Sequence, residues 1–184
     1  MKLLAISGSL RRDSYNTKLL RAAEELLPPG VEFELLTGGR DIPPYNEEDD
    51  VEPAPPAVTH LRAAIAEADA ILISTPEYNA SIPGSLKNDL DWVSRPHATN
   101  TLRNKPVAVM GASTGMFGAV WAQAELRKVL GAIGARVVEG DVAVGHAHER
   151  FGDGGELVDE SLREQLEEVV EQLLAQISLR LVAA

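Results

Sequence analysis

Short apolar runs alternate with amphipathic stretches along this chain, and the alternation repeats five times. KLLAIS (2–7), AILIST (70–75) and PVAVMGA (106–112) are near-continuous apolar runs, the pattern of strands covered on both faces. VEFELLT (31–37) alternates apolar and acidic residues, as an outer strand would. ARVVEG opens a fifth strand region that runs, with a glycine interruption, to Val144. Between them, residues 16–27 place Leu19, Leu20, Ala22, Ala23, Leu26 and Leu27 at helical spacing, and Pro28–Pro29–Gly30 ends that helix. Leu61, Ala64, Ile65 and Ala68 mark a second helix. Leu86, Leu90 and Val93 mark a third within 84–94, and 118–131 reads as a fourth. A last one spans 159–178 through Leu162, Leu166, Val169, Leu173 and Ile177, after a Gly/Asp turn at 152–155.

Strand–helix alternation of this kind predicts an α/β fold, a doubly wound five-stranded parallel sheet with helices on both faces. No repeat and no linker divides the chain, so residues 1–184 are expected to form a single domain. In such sheets ligands bind beyond the carboxyl ends of the strands, where strand order reverses. The loops that matter are then 8–16, 76–83 and 112–118. A long Pro- and acid-rich loop, 38–57, exceeds a mere connector and predicts a surface or interface role.

Net charge is −11, which disfavours nucleic-acid backbones and anionic lipid surfaces as partners. Much of the acid lies at EEDD (47–50) and in the last helix, both read as solvated. There is no cysteine, so disulfides, thiolate metal sites and thiol nucleophiles are excluded. No apolar stretch approaches the roughly 20 residues of a membrane span. The apolar part of MKLLAIS is shorter than the roughly 7–15 residues of a signal core, and a cytoplasmic location is expected.

The first loop, GSLRRDSYN (8–16), suits a phosphate. Main-chain N–H groups at a helix start favour an anion. Ser9, Ser14 and Asn16 add neutral donors, and Arg11 donates to phosphate oxygens in a forked geometry. Ser14 or Asn16 alone would read as a helix cap; all four together, after a buried strand, read as a phosphate site. Arg12 reads as a solvated charge. The loop has neither G-x-x-x-x-G-K-[ST] nor G-x-G-x-x-G, so a terminal phosphate monoester fits better than a triphosphate or a dinucleotide pyrophosphate. In the second loop, Pro76 and Pro83 stiffen a segment that carries Glu77, Tyr78 and Asn79, an aromatic face with polar neighbours. Trp92 is expected in the core.

GSLRRDSYN, followed by TPEYNASIPGSLKNDLDWVSRP (75–96), resembles the NADPH-dependent FMN reductase family, a flavodoxin-like group that includes chromate, quinone and azo reductases. DIPPYNEED (41–49) resembles the family's loop after strand two, and the likeness spans roughly residues 3 to 135. The resemblance implies an FMN site. Its phosphate would meet Ser9, Arg11, Ser14, the Tyr15 main chain, Asn16 and Thr17. Its ring would meet Pro76, Glu77, Tyr78 and Asn79, with Ser113, Thr114 and Gly115 completing the pocket. One departure stands at GAVWAQ (118–123), where Trp121 replaces an arginine associated with subunit contacts in relatives.

The function so implied is an FMN-dependent oxidoreductase. It would carry hydride from NADPH or NADH to FMN and then electrons to a small-molecule acceptor, by ping-pong kinetics, with no catalytic side chain required. A homodimer or homotetramer is expected. The alternatives are an electron-carrier flavodoxin without turnover of its own, which the loop arginine disfavours, and a flavin-free interaction module. His146 and His148, two residues apart, read as a surface pair, and no metal site is expected.

Overall fold

The computed structural model describes residues 1–37 and 39–182. Its strands are β1 (Lys2–Ser7), β2 (Glu32–Thr37), β3 (Ala70–Thr75), β4 (Pro106–Ala112), β5 (Arg136–Val137) and β6 (Ala143–Val144). Its helices are α1 (Tyr15–Glu24), α2 (Pro56–Glu67), α3 (Gly84–Val93), α4 (Val120–Ile133), α5 (Ala147–Arg150) and α6 (Glu160–Val182). The strands form one parallel sheet in the order β2-β1-β3-β4-β5, with β6 also pairing with β4. This is the flavodoxin-like order, and its reversal point lies between β1 and β3.

Side-chain alternation along the central strands divides the core in two. Leu3, Ala5, Leu72, Ala108 and Met110 face α1 and α6, where Leu19, Leu20, Leu166, Val169 and Leu173 meet them. Leu4, Ile6, Ile71, Ile73, Val107 and Val109 face α2, α3 and α4, through Leu61, Ile65, Leu86, Leu90, Leu126 and Leu130. Helices therefore cover both faces. β2 lies at the sheet edge and is only half-buried, which accounts for its acidic alternation.

The expected fifth strand is two short pieces pairing with successive parts of β4. Gly140 interrupts them at φ +110°, in the left-handed region. The Arg127 guanidinium spans the gap, donating to the carbonyl of Val138 (2.7 Å) and that of Gly140 and to the Asp141 carboxylate (3.0 Å). The fourth helix begins at Val120 rather than 118, because Gly118 (φ +58°) and Ala119 (φ +63°) are left-handed. A Cβ at Gly118 would lie 2.4 Å from the Ala143 carbonyl carbon, so only glycine fits there. α5 and a single 3₁₀ turn at Glu47–Asp49 have no periodic signature in the sequence.

Trp92 is fully buried, but in a small cluster of its own with Ala54 and Val58, against which Tyr45 packs edge-on. Its indole N–H donates to the Pro43 carbonyl at 2.7 Å. The loop before α2 is thereby pinned to α3 at residues 43–45, which Asn88 also holds at Tyr45 and Pro43.

Candidate functional site

The three loops named by the strand pattern meet at the reversal point. Gly8 N–H donates to the Ser74 carbonyl at 2.8 Å, joining the ends of β1 and β3. Beyond them lies an open cleft of about 130 Å³ lined by Ser9, Arg11, Ser14, Tyr15, Asn16, Pro76, Glu77, Tyr78, Ala112, Ser113 and Thr114.

At one end of the cleft the donors are neutral or cationic. Ser14 caps α1, its hydroxyl accepting from Asn16 N–H at 3.2 Å. The N–H groups of Ser14 and Tyr15 make no hydrogen bond among the described residues. Ser9 Oγ accepts from Arg11 N–H at 3.3 Å, and the Arg11 side chain is exposed. Free helix-terminal N–H groups, two serine hydroxyls and a guanidinium form a donor set that fits a phosphate monoester.

Asn16 lines the cleft, but its buried amide is already engaged in structure. Its Oδ1 accepts from Ala112 N–H (2.9 Å) and Ser74 Oγ (2.8 Å), and its Nδ2 donates to the Ala112 carbonyl (2.9 Å). One side chain thus binds the ends of β3 and β4 to α1.

The second loop is a tight reverse turn. Tyr78 and Ser81 exchange both main-chain hydrogen bonds (3.0 and 3.1 Å), with Asn79 (φ +54°) and Ala80 (φ +58°) both left-handed between them. That is the geometry of a type I′ turn, and it holds the exposed Tyr78 ring at the cleft. The Glu77 carboxylate reaches α4 instead of the cleft centre: Oε2 accepts from the N–H groups of Trp121 and Ala122, both at 3.1 Å. Ala119 offers no capping side chain, so Glu77 supplies the missing cap from 44 residues away. Ser81 Oγ donates to Glu125 at 2.5 Å and fastens the same loop to α4 a second time.

Three expected residues lie off the cleft. Thr17 faces a neighbouring groove, and its hydroxyl pairs with Ser7 Oγ at 2.9 Å. Asn79 is exposed on the turn. Gly115 donates to Ser113 Oγ (3.1 Å) and accepts from His146 N–H (2.9 Å), so it shapes the third loop from behind. His146 and His148 stand 6.2 Å apart between ring centroids, and no group of three His, Asp or Glu side chains gathers around an ion-sized space among the described residues.

Sequence reasoning passed over Asp89. It sits on the same helical face as Leu86, Leu90 and Val93, and that position was the available signal. It is 94% buried, and its Oδ1 has no hydrogen-bond partner. Burial pushes its carboxyl up to about 7. With His60, Asp41 and Thr37 it lines a second cavity of about 280 Å³, walled by Ile6, Leu35, Leu36, Ile42 and Leu61. Gly39 passes so close that a Cβ there would lie 2.0 Å from the carboxylate oxygen.

Residues 1–149 match the family model described as NADPH-dependent FMN reductase. The chain is 42% identical over 176 residues to an NAD(P)H-dependent FMN reductase of Pseudomonas aeruginosa, covering 94% of this chain and 93% of that protein. It is 35% identical to a 2-hydroxy-1,4-benzoquinone reductase of a Burkholderia species, covering 95% of each. Among solved structures it is similar to FerB, a flavoenzyme NAD(P)H:(acceptor) oxidoreductase from Paracoccus denitrificans, with a TM-score of 0.83 at 35% identity over 96% of this chain and 97% of that one. The chain belongs to the NADPH-dependent FMN reductase family.

Proposed function

We propose that this member of the family reduces quinone-type acceptors with electrons from NAD(P)H through FMN held in the switch-point cleft. The observation that carries the reading is the meeting of three loops, with phosphate-type donors at one end and a rigid aromatic turn at the other. Ser9, Arg11, Ser14 and the free main-chain N–H groups of Ser14 and Tyr15 would hold the phosphate, with Asn16 beside them positioning the loop. Pro76, Glu77 and Tyr78, facing Ser113 and Thr114, would border the ring. FMN held there by these residues would supply the hydride and electron chemistry between the nicotinamide and the acceptor.

The chain's own residues bind, orient and exclude. The Tyr78–Ser81 turn is fastened to α4 through Glu77 and Ser81, so the aromatic wall is fixed before any ligand arrives. The N–H groups of Glu77 and Asn79, unbonded among the described residues, are available to negative charge developing at a ring edge. No side chain in the cleft is placed as an obligatory acid. A permissive, open cleft accords with a flat quinone acceptor, the class for which one relative is named.

The same reading includes residues 1–184 as one flavin-binding domain in the cytoplasm, assembled as a homodimer or homotetramer. No described helix is long and apolar enough to cross a membrane. Support for assembly comes from Met116, Phe117 and Trp121, which leave 64%, 53% and 50% of their surfaces open beside the cleft. A mass near that of one 19.8 kDa chain by light scattering would refute the assembly.

The decisive experiment mixes purified protein with NADPH and a benzoquinone. Yellow protein that releases FMN on heating and oxidises NADPH catalytically is the expected result. A protein that FMN cannot reconstitute, or that holds flavin NADPH does not reduce, overturns the reading.

A further inference from the structure

A third cavity, of about 400 Å³, adjoins the cleft and shares Ser9 and Arg11 with it. Its remaining walls are Leu10, Arg12, Thr17, Thr37 and Arg40. We infer that this groove is a second anion site, and that it takes the 2′-phosphate-bearing adenosine end of the nicotinamide co-substrate. The inference rests on the NAD(P)H reading above and names the part of that co-substrate the protein grips.

Charge is the first argument. The chain carries 28 acidic against 17 Lys and Arg side chains, and five of its arginines are neutralised locally. Arg21, Arg62, Arg127, Arg150 and Arg163 all sit in ion pairs. Arg11, Arg12 and Arg40 form none among the described residues. The carboxylate within their own loop, Asp13, is taken by Lys18 at 2.8 Å. Three guanidinium groups therefore line one groove without an ion pair among the described residues, on a chain that is acidic overall. Like charges are not gathered this way for stability, since each repels the others.

Positioning is the second argument. Arg40 Nη2 donates to the Leu10 carbonyl at 3.1 Å, which locks the loop after β2 onto the loop after β1. That bond uses one of five guanidinium donors and leaves the rest free to grip a ligand. Arg40 is thereby held beside Arg12 rather than waving in solvent.

Stoichiometry and reach complete the case. The flavin phosphate already has Arg11, the serines and the α1 N-terminus, so Arg12 and Arg40 are surplus to it. Two further positive charges match one phosphate monoester, which carries about −1.5 to −2 near neutral pH. A quinone has no such group. The dinucleotide does, and the sequence offers it no glycine-rich fingerprint, so side chains must hold its phosphates. The groove opens at the phosphate end of the cleft. A dinucleotide whose nicotinamide lies by Pro76–Tyr78 would extend its adenosine in that direction.

The test is a calorimetric titration of FMN-saturated protein with adenosine 2′,5′-bisphosphate and, separately, with ADP. The bisphosphate should bind more tightly than ADP, and added salt should erode the difference. Arg12→Ala/Arg40→Ala should weaken bisphosphate binding about ten- to a hundredfold while flavin content is kept. The ratio of kcat/KM for NADPH over NADH should fall about tenfold in the same variant. Equal binding of the two nucleotides, an unaltered affinity in the double variant, or loss of FMN from it would each overturn the inference. Both arginines are exposed, and Arg12→Ala alone, which keeps the Arg40–Leu10 bond, should weaken bisphosphate binding in the same direction, separating ligand contact from loop positioning. Failure of the parent reading is seen separately, as wild-type flavin that NADPH does not bleach.

Discussion

The side-chain amide of Asn16 pairs with both main-chain groups of Ala112, accepting from its N–H and donating to its carbonyl at 2.9 Å each. A residue in the first turn of α1 thus extends the hydrogen bonding of β4 from 96 positions away. Asn16→Ala strands a buried N–H, a buried carbonyl and the Ser74 hydroxyl together, so a loss of about 2–4 kcal/mol is expected in urea unfolding. FMN affinity should fall in step, since the three loops lose their common tie. A variant as stable as the wild type would show that water replaces the amide.

Arg11 tests the phosphate end of the cleft. Its side chain is exposed on a loop and forms no ion pair among the described residues, so Arg11→Ala should fold normally. Flavin titration should show FMN binding weakened about ten- to a hundredfold, the worth of a charge-assisted contact of about 1.5–3 kcal/mol. Unchanged affinity would remove Arg11 from the site.

Glu77 tests the link between the aromatic turn and α4. Glu77→Ala leaves the N–H groups of Trp121 and Ala122 without their acceptor and should cost about 0.5–2 kcal/mol in thermal or urea unfolding. Glu77→Gln keeps an acceptor oxygen and should recover most of that loss. If the two variants behave alike, charge at the α4 N-terminus outweighs hydrogen-bond geometry.

Tyr78 tests acceptor choice. Its ring lines the cleft, and its hydroxyl forms no hydrogen bond among the described residues. Tyr78→Ala should keep most bound flavin and reduce kcat/KM for a quinone about two- to twelvefold through lost stacking, while a small ion such as chromate is affected less. Equal losses for both acceptors, tracking a lowered Tm, would assign Tyr78 to packing alone.

Asp89 makes stability depend on pH with a sign opposite to most carboxylates. Burial raises its carboxyl from 3.8 to about 7, so the native state holds a proton that the unfolded chain has released. The contribution of Asp89 to stability is therefore full below about pH 4, declines as pH rises toward 7 and levels off above it. The separation corresponds to at most about 4 kcal/mol. Asp89→Asn is neutral at every pH, so its Tm should match the wild type near pH 4 and exceed it at pH 8. A constant difference across that range would mean that ionisation at Asp89 is not the cause.

Periodicity was enough to place the central strands, because a strand buried on both faces admits no charged residue; β3 and β4 begin and end where the apolar runs do. It misplaced the start of α4, since the left-handed pair at Gly118–Ala119 answers to the backbone of Ala143, which local sequence cannot report. The loop motifs come together in one cleft, but their tertiary partners there could not be read from the sequence. Glu77 and Asn16 read as ligand contacts because they are polar and well placed; their tertiary partners, α4 and Ala112, claim their side chains. Arg12 read as a solvated charge because its neighbour Arg40 comes from the far side of α1 and β2, and only the pairing of β2 with β1 brings them together.

The late strand β6 has a bearing on how the protein matures. The third loop is held from behind: Gly111 N–H donates to the Val142 carbonyl at 2.9 Å and Ser113 N–H to the Val144 carbonyl at 3.0 Å. Until residues 142–144 are in register, that wall has no fixed shape, although the phosphate loop is synthesised more than a hundred residues earlier. Flavin loading is then expected as a late event of folding rather than a template for it. In refolding experiments, quenching of added FMN fluorescence should trail the burial of Trp92, whose cluster draws only on α2, α3 and the loop before α2.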